Sequence, residues 1–208
     1  ASFPWPVAAN VDTALAFDPD ESALHVAYTW TQGATTAIVA VTSRDFGASW
    51  STPVCLTTAA EGTARRPAIA ARGGTVVVAY EHASLGKGPD AGLAYSSDSG
   101  RSWTRGVPLA ASAAAERSPD VRSLDGPGPA MFFASYVEAN ERVILLKATG
   151  SAPGSWTKEL TYPEDGALSA LGSAIVLPMP VPAGEGSAGI LWTDTSADDD
   201  IFFSGSAR

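Results

Sequence analysis

The chain has 208 residues, 45% of them hydrophobic and 17% charged, the composition of a folded domain rather than a disordered tract. Thirteen Lys and Arg against 22 Asp and Glu leave a net charge of −9, which excludes the basic footprint of a general nucleic-acid binder and any preference for anionic membranes. One cysteine, Cys55, and two distant histidines, His25 and His82, exclude an intrachain disulfide, a cysteine-based zinc site and an HExxH motif. No run approaches the ~18 apolar residues of a membrane helix. No basic n-region marks a signal peptide. Because the chain opens without Met, it reads as a processed one, and a secreted or periplasmic location is expected. Twenty Gly and 15 Pro predict many turns.

Short β-branched and aromatic runs follow one another along the chain, broken by Gly, Pro, Ser and Asp. Residues 14–17, 23–30 and 37–41 come first, then the segment 43–50, then a fourth run at 53–56. The order recurs at 67–71, 75–80, 91–95, 96–103 and 106–109, and again at 119–122, 130–136, 143–146, 149–156 and 158–161. A last set, 173–177, 188–192 and 201–203, has no fourth run before Arg208. Helical periodicity is nearly absent, and residues 109–116 and 164–171 read as loops between units.

The repeat is the most informative property. Ser43, Asp45, Gly47 and Trp50 share their spacing with Ser96, Asp98, Gly100 and Trp103, as S-x-D-x-G-x-x-W. Trp50 and Trp103 lie 53 residues apart, and the same step reaches Trp156, where the Asp and Gly are lost. Four strands in a unit of this size suit a β-propeller blade. The expected fold is therefore all-β, one propeller domain over 1–208, with four blades of four antiparallel strands. The blades fall at 11–59, 60–112, 113–166 and 167–208, the last completed by residues 1–10. Pairing the N-terminal strand, residues 5–9, onto the last blade closes the ring and removes its open edges. The alternative is four blades cut from a longer propeller.

The box is similar to the Asp-box, or BNR, repeats of sialidase-like propellers. The resemblance rests on two full boxes and one degenerate box, with the strand pattern around them covering nearly the whole chain. It implies a hairpin turn between the third and fourth strands of each blade, on the face opposite the active site. In such a turn Asp45 and Asp98 can bond turn amides, Gly47 and Gly100 can take positive φ, and Trp50, Trp103 and Trp156 can fill the seam. Active sialidases of this kind usually carry six blades, an arginine triad with one member in an Arg-x-Pro motif, a Tyr–Glu pair and an Asp acid/base. Arg65-Arg66-Pro67 and Arg117-Ser118-Pro119 echo the arginine motif, with Arg122 as a third arginine. Tyr80-Glu81 echoes the Tyr–Glu pair, although the family draws its pair from separate blades. Four blades do not assemble that full set, which favours binding over catalysis.

Ligands of a propeller sit over the channel, on loops entering the first strand and joining the second to the third. Those loops are expected at 59–66, 111–119 and 163–172, and at 29–36, 81–90, 138–142 and 194–200. They carry the ligand-binding candidates Trp30, Arg65, Arg66, Glu81, Arg117, Glu138 and Asn140. An aromatic platform with carboxylates, an amide and arginines suits a carbohydrate; the same residues also read as solvated loop charges. Glu81, Glu138 and Asp194 each follow a second strand, and carboxylates within ~5–10 Å could do acid–base work. A repeated polar strand end explains them as well. His82, beside Glu81, is the remaining catalytic candidate. Asp198, Asp199 and Asp200 offer hard oxygen ligands but lack calcium-loop spacing and read as a solvated turn. No metal or cofactor is expected. His25 reads as a packed strand residue and Cys55 as a small core residue. The leading functional expectation is a secreted propeller that binds a glycan or a protein at its channel face, without nucleic-acid partners or membrane insertion. The alternatives are a sialidase-like glycoside hydrolase and a structural or docking propeller of a larger protein.

Overall fold

The computed structural model describes residues 12–32, 35–83, 88–109, 114–124, 129–138, 143–149, 156–162, 171–179, 187–194 and 201–205. Among them every regular element but one is a strand. The first sheet is β1 (Thr13–Asp18), β2 (Ala23–Gln32), β3 (Thr35–Ser43) and β4 (Val54–Cys55). A 3-10 turn, Ala59–Glu61, leads into the second, β5 (Thr63–Arg72), β6 (Thr75–Ala83), β7 (Asp90–Ser96) and β8 (Thr104–Pro108). The third is β9 (Glu116–Ser123), β10 (Met131–Glu138), β11 (Val143–Thr149) and β12 (Thr157–Tyr162). The fourth holds β13 (Leu171–Met179), β14 (Ser187–Asp194) and β15 (Ile201–Gly205). Each sheet is an antiparallel meander in which every strand pairs with its sequence neighbour.

The sheets pack face to face in sequence order. Their first strands β1, β5, β9 and β13 lie against one another in turn. Strand alternation sends successive side chains to opposite faces. Thus Val76, Val78 and Tyr80 of β6 pack toward the first sheet with Ala14, Ala16, Ala27 and Ala40. Val77 and Ala79 pack toward the third with Phe132, Ala134 and Tyr136. A strand covered on both faces needs apolar residues at every position, which is why β6 reads Thr-Val-Val-Val-Ala-Tyr rather than as an alternating pattern. Burying one ring such as Phe132 contributes about 1.5–3 kcal/mol. Trp103 and Trp156, which end their boxes, pack against the seam clusters, and Trp50 against the buried cluster of Val26, Tyr28, Val39 and Val41 on the other face of the first sheet.

Both complete boxes form the same turn. Ser43 Oγ donates to Asp45 Oδ1 (2.7 Å) and accepts Gly47 N–H (2.8 Å). Ser96 Oγ donates to Asp98 Oδ1 (2.7 Å) and accepts Gly100 N–H (2.8 Å). Each Asp then receives the amide and hydroxyl of the serine four residues on, Ser49 or Ser102. These serine bonds lead in holding Asp45 and Asp98 at about 2, below the usual carboxylate range. The bonds favour the charged form, so this contribution is present above the unfolded value and is lost as pH falls toward 2. Gly47 and Gly100 have φ of 90° and 81°, a region costly for side chains. A Cβ on Gly100 would also stand 2.6 Å from Thr42 Oγ1 of the neighbouring sheet. Ser96→Ala, at a hub that is 1% exposed, is expected to cost about 1–3 kcal/mol by stranding the Gly100 amide. Denaturant titration reads this, and an unchanged midpoint would mean the turn amides have other partners.

Several expectations need correction. Trp30, Arg65, Arg66, Glu81, His82, Arg117 and Glu138 were expected in loops but lie within strands β2, β5, β6, β9 and β10. The strands run on to the rim of each sheet and carry their polar residues at the ends. Cys55 is exposed rather than in the core, because edge strand β4 is two residues long and Leu56 takes the inward place. The N-terminal strand at 5–9 and most of the third box, 150–155, fall outside the described residues.

Candidate functional site

At the end of the sheets opposite the boxes, β5 breaks its register. Arg65 pairs with Glu81 and Ala68 with Ala79, so between them Arg66 and Pro67 oppose Tyr80 alone, two residues against one. Arg66 takes φ of 52° and Pro67 follows, a β-bulge that re-aims side chains. In a regular strand Arg65 and Arg66 would face opposite ways. Here both reach the same carboxylate. Glu81 Oε1 accepts from Arg65 Nε (2.7 Å) and Nη2 (2.5 Å), and Oε2 accepts from Arg66 Nη1 (3.2 Å). The backbone N–H of Ser118, from the third sheet, adds a bond to Oε2 (3.3 Å). Asp12 Oδ2 accepts the Arg66 amide (3.0 Å) and steadies the bulge.

Glu81 is 1% exposed, whereas the side chains of Arg65 and Arg66 are 55% and 52% exposed. A buried charge needs partners of this kind. The consequence for chemistry is that both Glu81 oxygens are engaged while guanidinium N–H groups remain at the surface. The third sheet repeats the device. Arg117 pairs with Val137, Asp120 pairs with Ser135, and Ser118 has φ of 49°. Arg117 is exposed and holds no ion pair among the described residues. Two arginines and one backbone amide of the third sheet therefore converge on a single buried carboxylate, with Arg117 next in sequence to that amide.

Tyr80, next to Glu81 in sequence, points to the other face of β6. Its hydroxyl donates to Glu61 Oε1 (2.6 Å), and Glu61 Oε2 accepts Thr58 N–H and Oγ1. Burial, then the Glu61 carboxylate, raises the Tyr80 phenol above its usual range. Tyr80 is fully buried. The pairing that sequence neighbours suggested is thus replaced by Tyr80–Glu61, with no open path to the hydroxyl. A cleft of about 220 Å³ lies nearby, lined by Glu61, His82, Asp90, Gly106, Pro108 and Glu116 among others. The His82 ring stands 6.2 Å from that of Tyr80, and its Nδ1 is buried without a partner.

Of the predicted residues, the structure gathers Arg65, Arg66 and Glu81, with the Arg117–Ser118 backbone against them. It does not gather the rest. Trp30 packs near Val26, Tyr28, Val39 and Val41, on the face of the first sheet turned away from the second. Glu138 is buried opposite Glu116 and is not the counterpart of Glu81; register gives that place to Val137, and to Asp194 opposite Leu171 in the fourth sheet. Asn140, Asp198, Asp199 and Asp200 lie outside the described residues. No cluster of metal-ligating side chains occurs among the described residues. Sequence reasoning placed Glu61 among the loop charges but missed its bond to Tyr80, and it missed Asp12 and the Ser118 amide. The repeated Arg-x-Pro was the one signal that two bulges were present.

Comparison with known proteins gives the fold its kin. The model of the BNR repeat-like domain matches residues 12–157. Among solved structures the chain is similar to the Hadza microbial sialidase Hz136, at 15% identity over 94% of this chain and 44% of that one, with a TM-score of 0.64. It is similar to the intramolecular trans-sialidase from Ruminococcus gnavus, solved with oseltamivir carboxylate, at 17% identity over 86% and 38%, with a TM-score of 0.54. Zg3597, a family 117 glycoside hydrolase from the marine bacterium Zobellia galactanivorans, is similar at 13% identity over 94% and 68%, with a TM-score of 0.50. The chain thus spans less than half the length of the two sialidases. No curated protein sequence matches it. At such identities the likeness is one of fold, a sialidase-like β-propeller. With a match over most of its length and two complete box turns in place, the chain belongs to the family of BNR repeat-like domains.

Proposed function

We propose that the bulged end of the second and third sheets binds an acidic glycan, with Arg65, Arg66 and Arg117 as the contacts and Glu81 as the buried anchor that aims them. The observation that carries this reading is the convergence of two half-exposed guanidiniums on one fully engaged carboxylate. Glu81 has no free oxygen for proton transfer, so the arrangement suits recognition without turnover. Guanidiniums meet a sugar carboxylate in bidentate fashion, and a charge-assisted bond of this kind contributes about 1.5–3 kcal/mol. In the same reading each sheet is a blade, and residues 5–9 take the fourth place in the last one.

Sialyllactose is a suitable probe because two of the similar structures are a sialidase and a trans-sialidase. Calorimetry is expected to show binding of sialyllactose but not of lactose. Arg65→Ala is expected to weaken it by about tenfold or more, and added salt is expected to weaken it further. Equal affinity for the two sugars, or indifference to Arg65→Ala, would sink the reading. Release of the acidic sugar in the same assay would move it to a sialidase-like hydrolase.

A further inference from the structure

The seam between the first and second sheets encloses a histidine that the proposed site does not use. His25 lies in β2, is 1% exposed, and sits at the box end, away from the arginines. Its Nδ1 is 2.9 Å from Thr42 Oγ1, and its Nε2 is buried without a partner. The second box closes directly over it. A Cβ built on Gly100 would lie in contact with His25 Nδ1 at 3.5 Å and would clash with Thr42 Oγ1, the ring's own partner, at 2.6 Å, so a glycine is needed here. The box is held there by Ser99 N–H to Gly74 O (2.7 Å) and by Arg44 Nη2 to Ser99 O (2.7 Å).

The charges around the ring come from every neighbouring element. Asp18 ends β1, but its oxygens already accept the amides of Asp20, Gly73 and Gly74. Arg44 follows β3 and opposes a second positive charge. Asp20 and Arg72 pair with each other at 3.4 Å, and Asp98 is held inside its own turn. Glu21, in the turn before β2, lies at the Gly74 turn, and among the described residues no group bonds Nε2.

We propose that His25 is an acid-sensitive latch on this seam: neutral, it lets the second box close over β2, and protonated, it drives the box and the Gly73–Gly74 turn away. Burial leads in pushing His25 down to about 4, with Asp18 acting the other way. The sign follows. The open seam takes up a proton at the ordinary histidine value, near 6.5, and the closed seam only near 4, so closure weakens as pH falls between them. Each pH unit in that window favours opening by about tenfold. The device is independent of the glycan reading and lies at the opposite end of the sheets.

Hydrogen exchange with NMR tests it on the intact chain. The protection of the Ser99 and Gly74 amides, corrected for intrinsic rates, is expected to fall by about 100-fold from pH 6.5 to 4. The Leu93 and Ala79 amides inside the second sheet should stay protected. The His25 ring should titrate together with the loss at Ser99. His25→Gln is expected to flatten the pH dependence. Should that variant not fold, Arg44→Gln, at an exposed position, is expected to move the midpoint to higher pH. A flat Ser99 profile in the native chain, a His25 ring titrating near 6.5 with the seam closed, or the same slope in His25→Gln would overturn the proposal.

Discussion

Glu81→Ala is expected to abolish sialyllactose binding and to destabilise the fold by about 1–3 kcal/mol. Breaking a buried ion pair on one side costs about 3–5 kcal/mol when the partner stays buried. Arg65 and Arg66 are half exposed, so they regain water and the cost shrinks. The Ser118 amide loses its carboxylate as well, which loosens the contact between the second and third sheets. The binding loss should exceed that of Arg65→Ala, because both guanidiniums lose their aim at once. Glu81→Gln keeps one acceptor oxygen and is expected to fall between the two. Thermal unfolding and calorimetry on the same samples separate the effects. Unchanged affinity in Glu81→Ala would show that the arginines need no anchor, and the site as described would fail.

Asp18→Ala is expected to lower stability more than any surface change, by about 3–5 kcal/mol, without touching the arginine end. Asp18 is fully buried and receives three backbone amides, those of Asp20 (3.1 Å), Gly73 (3.1 Å) and Gly74 (2.8 Å). Two of the three belong to the next sheet, so the carboxylate ties the sheets together. Removing it strands buried donors, each worth about 1–3 kcal/mol. For a chain of this size that corresponds to a melting temperature lower by about 10 °C. Asp18→Asn should cost less, since its oxygen still accepts. A melting temperature within about 2 °C of the native chain's would mean the amides find water and the tie is dispensable.

The two predictions differ in how far the sequence foretold them. Arg65, Arg66 and Glu81 were picked out as separate candidates, yet no spacing in the chain said that they touch. Their meeting depends on one extra residue in β5, which turns Arg66 to the side of Arg65. The same register shows that Glu138, one step beyond Glu81's true counterpart Val137, was misaligned by counting from strand ends. Tyr80 was linked with Glu81 because they are adjacent, but adjacency in a strand means opposite faces, and Tyr80 reached Glu61 instead. Asp18 carried no signal of its tie to the second sheet, since the partners it reaches there lie 55 and 56 residues away.

The sequence by itself determined the repeat, the strand-rich units and the box turns. Those features are local: Ser43, Asp45, Gly47 and Ser49 bond within four residues, and pleat and turn chemistry act over similar distances. The tertiary structure alone decided which polar residues became a cluster, which carboxylate was buried and which histidine was sealed in a seam. A one-residue shift in strand pairing moves a side chain to the other face, and bonds between sheets join residues that no local pattern relates.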